Sequence, residues 1–203
     1  LHREYNLDII ATTPNVQLRA TLEDGSVIQA NSPAEMPDPG HVAMYEEPFI
    51  EARIVTPQEF VGNVMKLVQE KRGEFHGIDY LDPSRAQLTY LMPLSEIIYD
   101  FYDRLKSCSR GYATLDYEFF DYMQSDLVKL DVLLNGEPVD ALSIVAHREK
   151  AYDRGRDLVD RLRELIPRQM FQIAIQAAIG GKIVARSTVS AMRKDVTAKC
   201  YGG

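Results

Sequence analysis

The chain has 203 residues, 45% of them hydrophobic and 26% charged, with a formal net charge of −7. That composition suits one or two ordinary folded domains and excludes low-complexity and fibrous classes. No apolar run approaches the ~20 residues of a membrane-spanning helix, nothing at the start resembles a signal peptide, and Cys108 and Cys200 lack metal-ligand spacing and read as reduced thiols.

LHREYNLD reads as the end of a helix running into a strand, YNLDIIATTP (5–14), which Pro14 stops. Two alternating runs around Asp24-Gly25 predict a hairpin, and NSPAEMPDPG (31–40) reads as a linker. EEPFIEARIV (46–55) predicts a strand. Thr56, Pro57 and Glu59 then predict a capped helix start, with Phe60, Val61, Val64, Met65 and Val68 on one face and Gly73 at the end. HGIDYLD and RAQLTYLMP form a strand pair around Pro83-Ser84. A second helix starts at Ser95, with Ile98, Phe101, Tyr102 and Leu105 on one face, and stops at Gly111 before the strand YATLDYEFF. The order is β-α-β-β-α-β, the ferredoxin-like pattern: an antiparallel sheet with two helices on one face.

A second small α+β domain is predicted to follow. LVKLDVLLNGEPVDALSIVAH (127–147) gives two strands around Asn135-Gly136. A helix from Glu149 to Ile166 would turn Tyr152, Leu158, Val159, Leu162, Leu165 and Ile166 inward. In MFQIAIQAAI (170–179), Phe171, Ile173, Ile175, Ala177 and Ile179 share a face. Gly180-Gly181 turns the chain into KIVARS, and TVSAMRKDVTAK reads as a basic helix. AKCYGG supplies no closing element, so the chain reads as a piece of something longer.

Charge is unevenly spread. Residues 1–125 hold 10 basic and 20 acidic side chains, whereas residues 161–203 hold eight basic and two acidic. A basic end on an acidic body points to a polyanion partner at that end. Within SRGYATLDYEF (109–119), Arg110, Gly111, Tyr112, Ala113 and Tyr117 fit the RNA-recognition octapeptide. That octapeptide belongs on a central third strand, whereas this segment is the fourth strand and lies at an edge. Alternation puts Ala113, Leu115, Tyr117 and Phe119 under the helices. Tyr112, Thr114, Asp116 and Glu118 fall on the open face, where the two acids repel phosphate. An RNA contact is instead expected from Lys106 and Arg110 at the turn. Gly180-Gly181-Lys182 is not a phosphate loop, because Gln176 stands where its first glycine belongs. GxSxG and HExxH are absent, and His2, His41, His76 and His147 are scattered.

The strings REYNLDIIATTP, EFVGNVMKLVQEKRGE, LTYLMPLSEIIYDFYDRLKSCSRGYATLDYEF, SDLVKLDVLLNGEPVDALSIVAHR, LIPRQMFQIAIQAAIGGKIVAR and RKDVTAKCYGG resemble the C-terminal half of the LepA translational GTPases, also called elongation factor four. The resemblance implies four regions. Residues 1–13 end the third (ferredoxin-like) domain. Residues 14–47 are a hairpin connector and linker, where elongation factor G would insert a large fourth domain. Residues 48–123 resemble the fifth domain of elongation factor G, and residues 124–203 are the family-specific C-terminal domain, short of its basic tail. GTP and Mg2+ would be held in a domain upstream.

The resemblance further implies a ribosome- and tRNA-contacting module of a cytoplasmic factor that acts on translocated or stalled ribosomes. The module would be non-catalytic and monomeric, without DNA binding. Its partners would be large-subunit RNA near the factor-binding stalk base and a tRNA acceptor arm. The longer protein would also associate weakly with the inner membrane. Candidate phosphate contacts are Lys106, Arg110, Arg168, Lys182, Arg186, Arg193, Lys194 and Lys199. Two alternatives stay open: a ligand-binding regulatory ferredoxin-like domain, and a scaffold that binds protein alone.

Overall fold

The computed structural model describes residues 16–192, and its contacts divide these into two units, 16–32 with 37–125 and 33–36 with 126–192. The first unit contains β1 (Leu18–Leu22), β2 (Val27–Ala30), β3 (Val42–Pro57), helix α1 (Val61–Glu70), β4 (Glu74–Asp82), β5 (Arg85–Pro93), helix α2 and β6 (Thr114–Gln124). Helix α2 comprises an α-turn Leu94–Glu96, a π-helical stretch Ile97–Phe101 and an α-helical part Tyr102–Cys108. The antiparallel order β4-β5-β3-β6 is the expected ferredoxin-like sheet, and the β1–β2 hairpin pairs with the start of β3. Alternation along β3 turns Ile50, Ala52 and Ile54 toward Val64, Leu67 and Val68 of α1 and Ile97, Phe101 and Leu105 of α2.

Three local expectations change. First, β3 runs on through Pro57, and fully buried Thr56 donates its hydroxyl to the Pro57 carbonyl (3.2 Å) instead of capping a helix. The Gln58 N–H donates to the Ser84 carbonyl (2.8 Å), so the β4–β5 turn satisfies the helix entry. Second, Leu67 replaces Met65 in the buried stripe of α1. Third, the wider π turn of α2 aligns Ile97, Phe101 and Leu105 inward, leaving Ile98 and Tyr102 exposed.

Both helices end in an Arg-Gly pair. In α1 the Gly73 N–H donates to the Val68 carbonyl (2.9 Å) and the Arg72 N–H to Gln69 (3.3 Å), a Schellman motif. The left-handed residue is Arg72, at φ 60°, and not Gly73. Glycine is needed at 73 for space, because a Cβ there would lie 2.1 Å from Val68 Cγ1. A non-glycine residue in this backbone region costs about 1 kcal/mol. Arg72 offsets that cost with its side chain: its guanidinium clamps Glu47 through two bonds (3.0 and 3.2 Å) and reaches Glu96 (3.4 Å). Glu47 and Glu96 are almost fully buried, and the Ser95 hydroxyl also donates to Glu47 (3.2 Å). Neighbouring Lys71 pairs with Asp100. The cluster joins the start of β3, the end of α1 and the start of α2. In α2 the Gly111 N–H donates to the Lys106 carbonyl (2.7 Å), and Arg110 takes the left-handed conformation at φ 53°.

The second unit holds β7 (Leu127–Leu134), β8 (Glu137–Pro138), β9 (Ile144–His147), helix α3 (Ala151–Leu165), β10 (Ile173–Ile179) and β11 (Lys182–Val189). The sheet order is β11-β10-β7-β8, with β9 also on β7. Asn135-Gly136, both at positive φ, form the expected turn. The return strand is broken between β8 and β9 by a 3-10 turn, Asp140–Leu142, which sinks Leu142 into the core. The buried face of α3 is Ala151, Gly155, Val159 and Leu162, while Tyr152 and Leu165 point to solvent. Small residues bring the helix close to the sheet: a Cβ on Gly155 would lie 3.4 Å from Val184 Cγ2 and 3.6 Å from Leu130 Cδ2. Of the basic helix expected over TVSAMRKDVTAK, Thr188 and Val189 belong instead to β11, and the part from Arg193 onward lies outside the described residues.

Three substitutions test this packing. Arg72→Gly relieves the backbone but strands two buried carboxylates, so it should lower unfolding free energy by about 2–3 kcal/mol in urea titration. Arg110→Gly removes the same strain with no buried partner lost, and should leave stability unchanged or raise it by up to about 1 kcal/mol. Gly155→Leu should cost about 1–3 kcal/mol through overpacking, read by the same titration.

Candidate nucleic-acid interface

Strand β6 carries the octapeptide residues, and among the described residues it pairs only with β3. Its register sets Leu115, Tyr117 and Phe119 opposite Ile54, Ala52 and Ile50 on the helix side, and Thr114, Asp116 and Glu118 opposite Val55, Arg53 and Glu51 on the open side. The Arg53 guanidinium meets Glu51 (3.2 Å), Asp116 (3.4 Å) and Glu118 (3.4 Å). Glu118 and then Asp116 hold its pKa above the ordinary arginine value. Three carboxylates around one guanidinium leave this face acidic, which is unfavourable for a phosphate backbone. Tyr112 precedes the strand and stacks on Phe60, with ring centroids 6.4 Å apart at 16°. Among the described residues no aromatic stacking platform forms on the open face of β6. Contrary to expectation, Tyr117 and Phe119 are not covered by the helices; they are 44% and 59% exposed.

The turn before β6 separates its two cations. Buried Ser109 donates its hydroxyl to the Leu105 carbonyl (2.8 Å) and accepts the Ala113 N–H (3.0 Å), which fixes the turn. The Lys106 ammonium donates to the carbonyls of Ala113 (2.6 Å) and Gly111 (3.4 Å), so it is tied to the turn that follows the helix. Its remaining freedom is small, and Tyr102 lies beneath it with the ring centroid 5.5 Å away. Arg110 is exposed and makes no hydrogen bond or ion pair with any described residue. The same backbone motif thus buries one arginine, Arg72, and presents the other, Arg110, to solvent.

In the second unit Arg168, Lys182 and Arg186 are all exposed, yet they do not form one patch. Lys182 opens β11 beside the Gly180-Gly181 turn, whereas Arg168 lies in the loop before β10, at the other end of a strand roughly 20 Å long. A bulge at Val184 reverses the alternation of β11. Lys182 therefore pairs with Ile179, and Arg186 lies opposite Gln176, on the other face. The Arg186 carbonyl accepts from Arg156 of α3 (2.8 Å). Arg193, Lys194 and Lys199 lie outside the described residues.

Sequence reasoning missed the apolar surroundings of Arg168. Met170, Phe171 and Met192 are all about half exposed, and the Met192 N–H donates to the Gln169 carbonyl (2.8 Å), which brings residue 192 to this loop. Strand β10 begins only at Ile173, so Phe171 is not part of the buried alternation. Among the described residues no three His, Cys, Asp or Glu side chains converge as a metal-binding group, and no helix is long and apolar enough to cross a membrane.

Residues 44–133 match the family described as Elongation factor G C-terminus, and residues 134–203 match GTP-binding protein LepA C-terminus. Proteins named Elongation factor 4 are similar along the whole chain: that of Chlorobium phaeovibrioides is 55% identical over 203 residues, that of Chlorobium limicola 55% and that of Streptococcus agalactiae 54%. The chain covers 34% of the first two relatives and 33% of the third, so it spans about one third of the length of these curated relatives. An elongation factor G type ferredoxin-like unit followed directly by a LepA C-terminal unit, with more than half of all positions identical, places this chain in the elongation factor 4 (LepA) family.

Proposed function

We propose that this chain is the ribosome-contacting part of a translational GTPase that acts on translocated or stalled ribosomes, and that it contributes RNA contacts and no catalysis. Whole-chain similarity to proteins named Elongation factor 4 carries the reading. GTP and Mg2+ belong to another part of the longer protein in this proposal, since the chain has no phosphate-binding loop to fit them. Arg110 is the leading contact of the first unit, because it is exposed and unengaged while Lys106 is occupied by carbonyls. This turn would meet large-subunit RNA. Arg168, Lys182 and Arg186 would touch separate phosphates of a tRNA acceptor arm, and Arg193, Lys194 and Lys199 would extend that contact. A monomeric, cytoplasmic factor with weak peripheral association at the inner membrane completes the proposal.

The test is co-sedimentation of the full-length factor with ribosomes across a salt series. Binding should fall steeply as salt rises. Arg110→Glu, and Arg168→Glu with Lys182→Glu and Arg186→Glu, should each weaken binding and flatten the salt slope, with the fold intact by circular dichroism. Unchanged binding in both variants would overturn the contact assignment. A metabolite-dependent dimer would favour the regulatory-domain reading instead.

A further inference from the structure

Among the described residues the outer edge of β6 pairs with no strand, and its first six residues carry no lysine, proline or bulge. Edge strands are commonly blunted by charged side chains, lysine above all, by proline, by an inward-pointing charge or by a bulge, because their free N–H and C=O groups otherwise accept another strand. Thr114–Phe119 contains no lysine, arginine or proline. Its ladder to β3 is regular up to the register shift that leaves Phe120 unpaired, so the flat stretch ends there. One face of this stretch shows Tyr117 and Phe119, both well exposed beyond the helices. The other shows Asp116 and Glu118, whose side chains are 78% and 64% exposed and share a single guanidinium with Glu51.

We propose that the free edge of β6 receives an extended protein segment in which basic and apolar residues alternate. Two observations select this occupant. The period of two on β6, aromatic on one face and acidic on the other, matches an added strand whose apolar side chains lie beside Tyr117 and Phe119 and whose cations lie beside Asp116 and Glu118. The acidic row also disfavours the competing occupants. A second copy paired through the same edge would bring Asp116 and Glu118 against their equivalents, and nucleic acid would meet uncompensated carboxylates. This site is separate from the Arg110 turn and does not depend on the RNA contacts proposed above.

The test titrates the 203-residue chain with a blocked eight-residue peptide of alternating lysine and valine, followed by amide NMR. A glutamate–valine peptide, a uridine oligonucleotide and the chain alone at rising concentration serve as comparisons. The expected result is a shift and slowed exchange of amides in Thr114–Phe119 with the lysine–valine peptide only. Asp116→Lys with Glu118→Lys, and separately Tyr117→Ala with Phe119→Ala, should each weaken that peptide by about tenfold or more while thermal unfolding stays cooperative. The proposal is overturned by any of three results: no response at β6 to the lysine–valine peptide, an equal response to the glutamate–valine peptide or the oligonucleotide, or dimerisation that protects the same amides.

Discussion

The ferredoxin-like unit is organised around one guanidinium held between two buried carboxylates. Arg72 binds Glu47 and Glu96, which come from the start of β3 and the start of α2, while its own backbone ends α1. Desolvating these charges is costly, and the pairing is favourable only because the geometry is bidentate and a serine hydroxyl completes it. The cluster fixes where the sixteen-residue strand β3 enters the sheet. The β1–β2 hairpin, β5 and β6 all pair with β3, so its position sets that of each of them.

The same turn chemistry is used twice with different results. After α1 the left-handed arginine is drawn inward by buried acids; after α2 Arg110 pairs with no acid among the described residues, and Lys106 donates to the carbonyls of the turn. Arg110 is left as a cation on a rigid turn, held by Ser109 and Gly111. A preorganised cation loses little side-chain and backbone freedom on binding, which suits phosphate contact. A few residues later Asp116 and Glu118 of β6, together with Glu51, surround the single guanidinium of Arg53 on β3, so the surface changes sign between the Arg110 turn and the strand it leads into.

Much of this was legible in the sequence. Hairpin glycines, the β-α-β-β-α-β order and the edge position of SRGYATLDYEF all follow from local turn chemistry and period-two alternation. What escaped depends on contacts between distant residues. Nothing local in the sequence marks Arg72, beside a helix-ending glycine, as the partner of buried acids; only the packing of β3 beside α2 brings Glu47 and Glu96 to it. The inward stripe of α3 was misassigned at Tyr152 and Leu165 because close approach of the helix favours Ala151 and Gly155 over large side chains. Alternation correctly put Tyr117 and Phe119 on the helix side, but periodicity does not reveal how far α2 extends to cover them.

The central claim is that the Arg110 turn faces RNA while the acidic side of β6 does not. Directed hydroxyl-radical probing tests it most directly, with an iron chelate on Ser107→Cys or Glu118→Cys in the full-length factor, every other cysteine of that protein replaced by serine. On ribosomes, strong cleavage of ribosomal RNA from position 107 with little from position 118 is the predicted result. Equal cleavage from both positions, or cleavage from position 118 alone, would contradict the account.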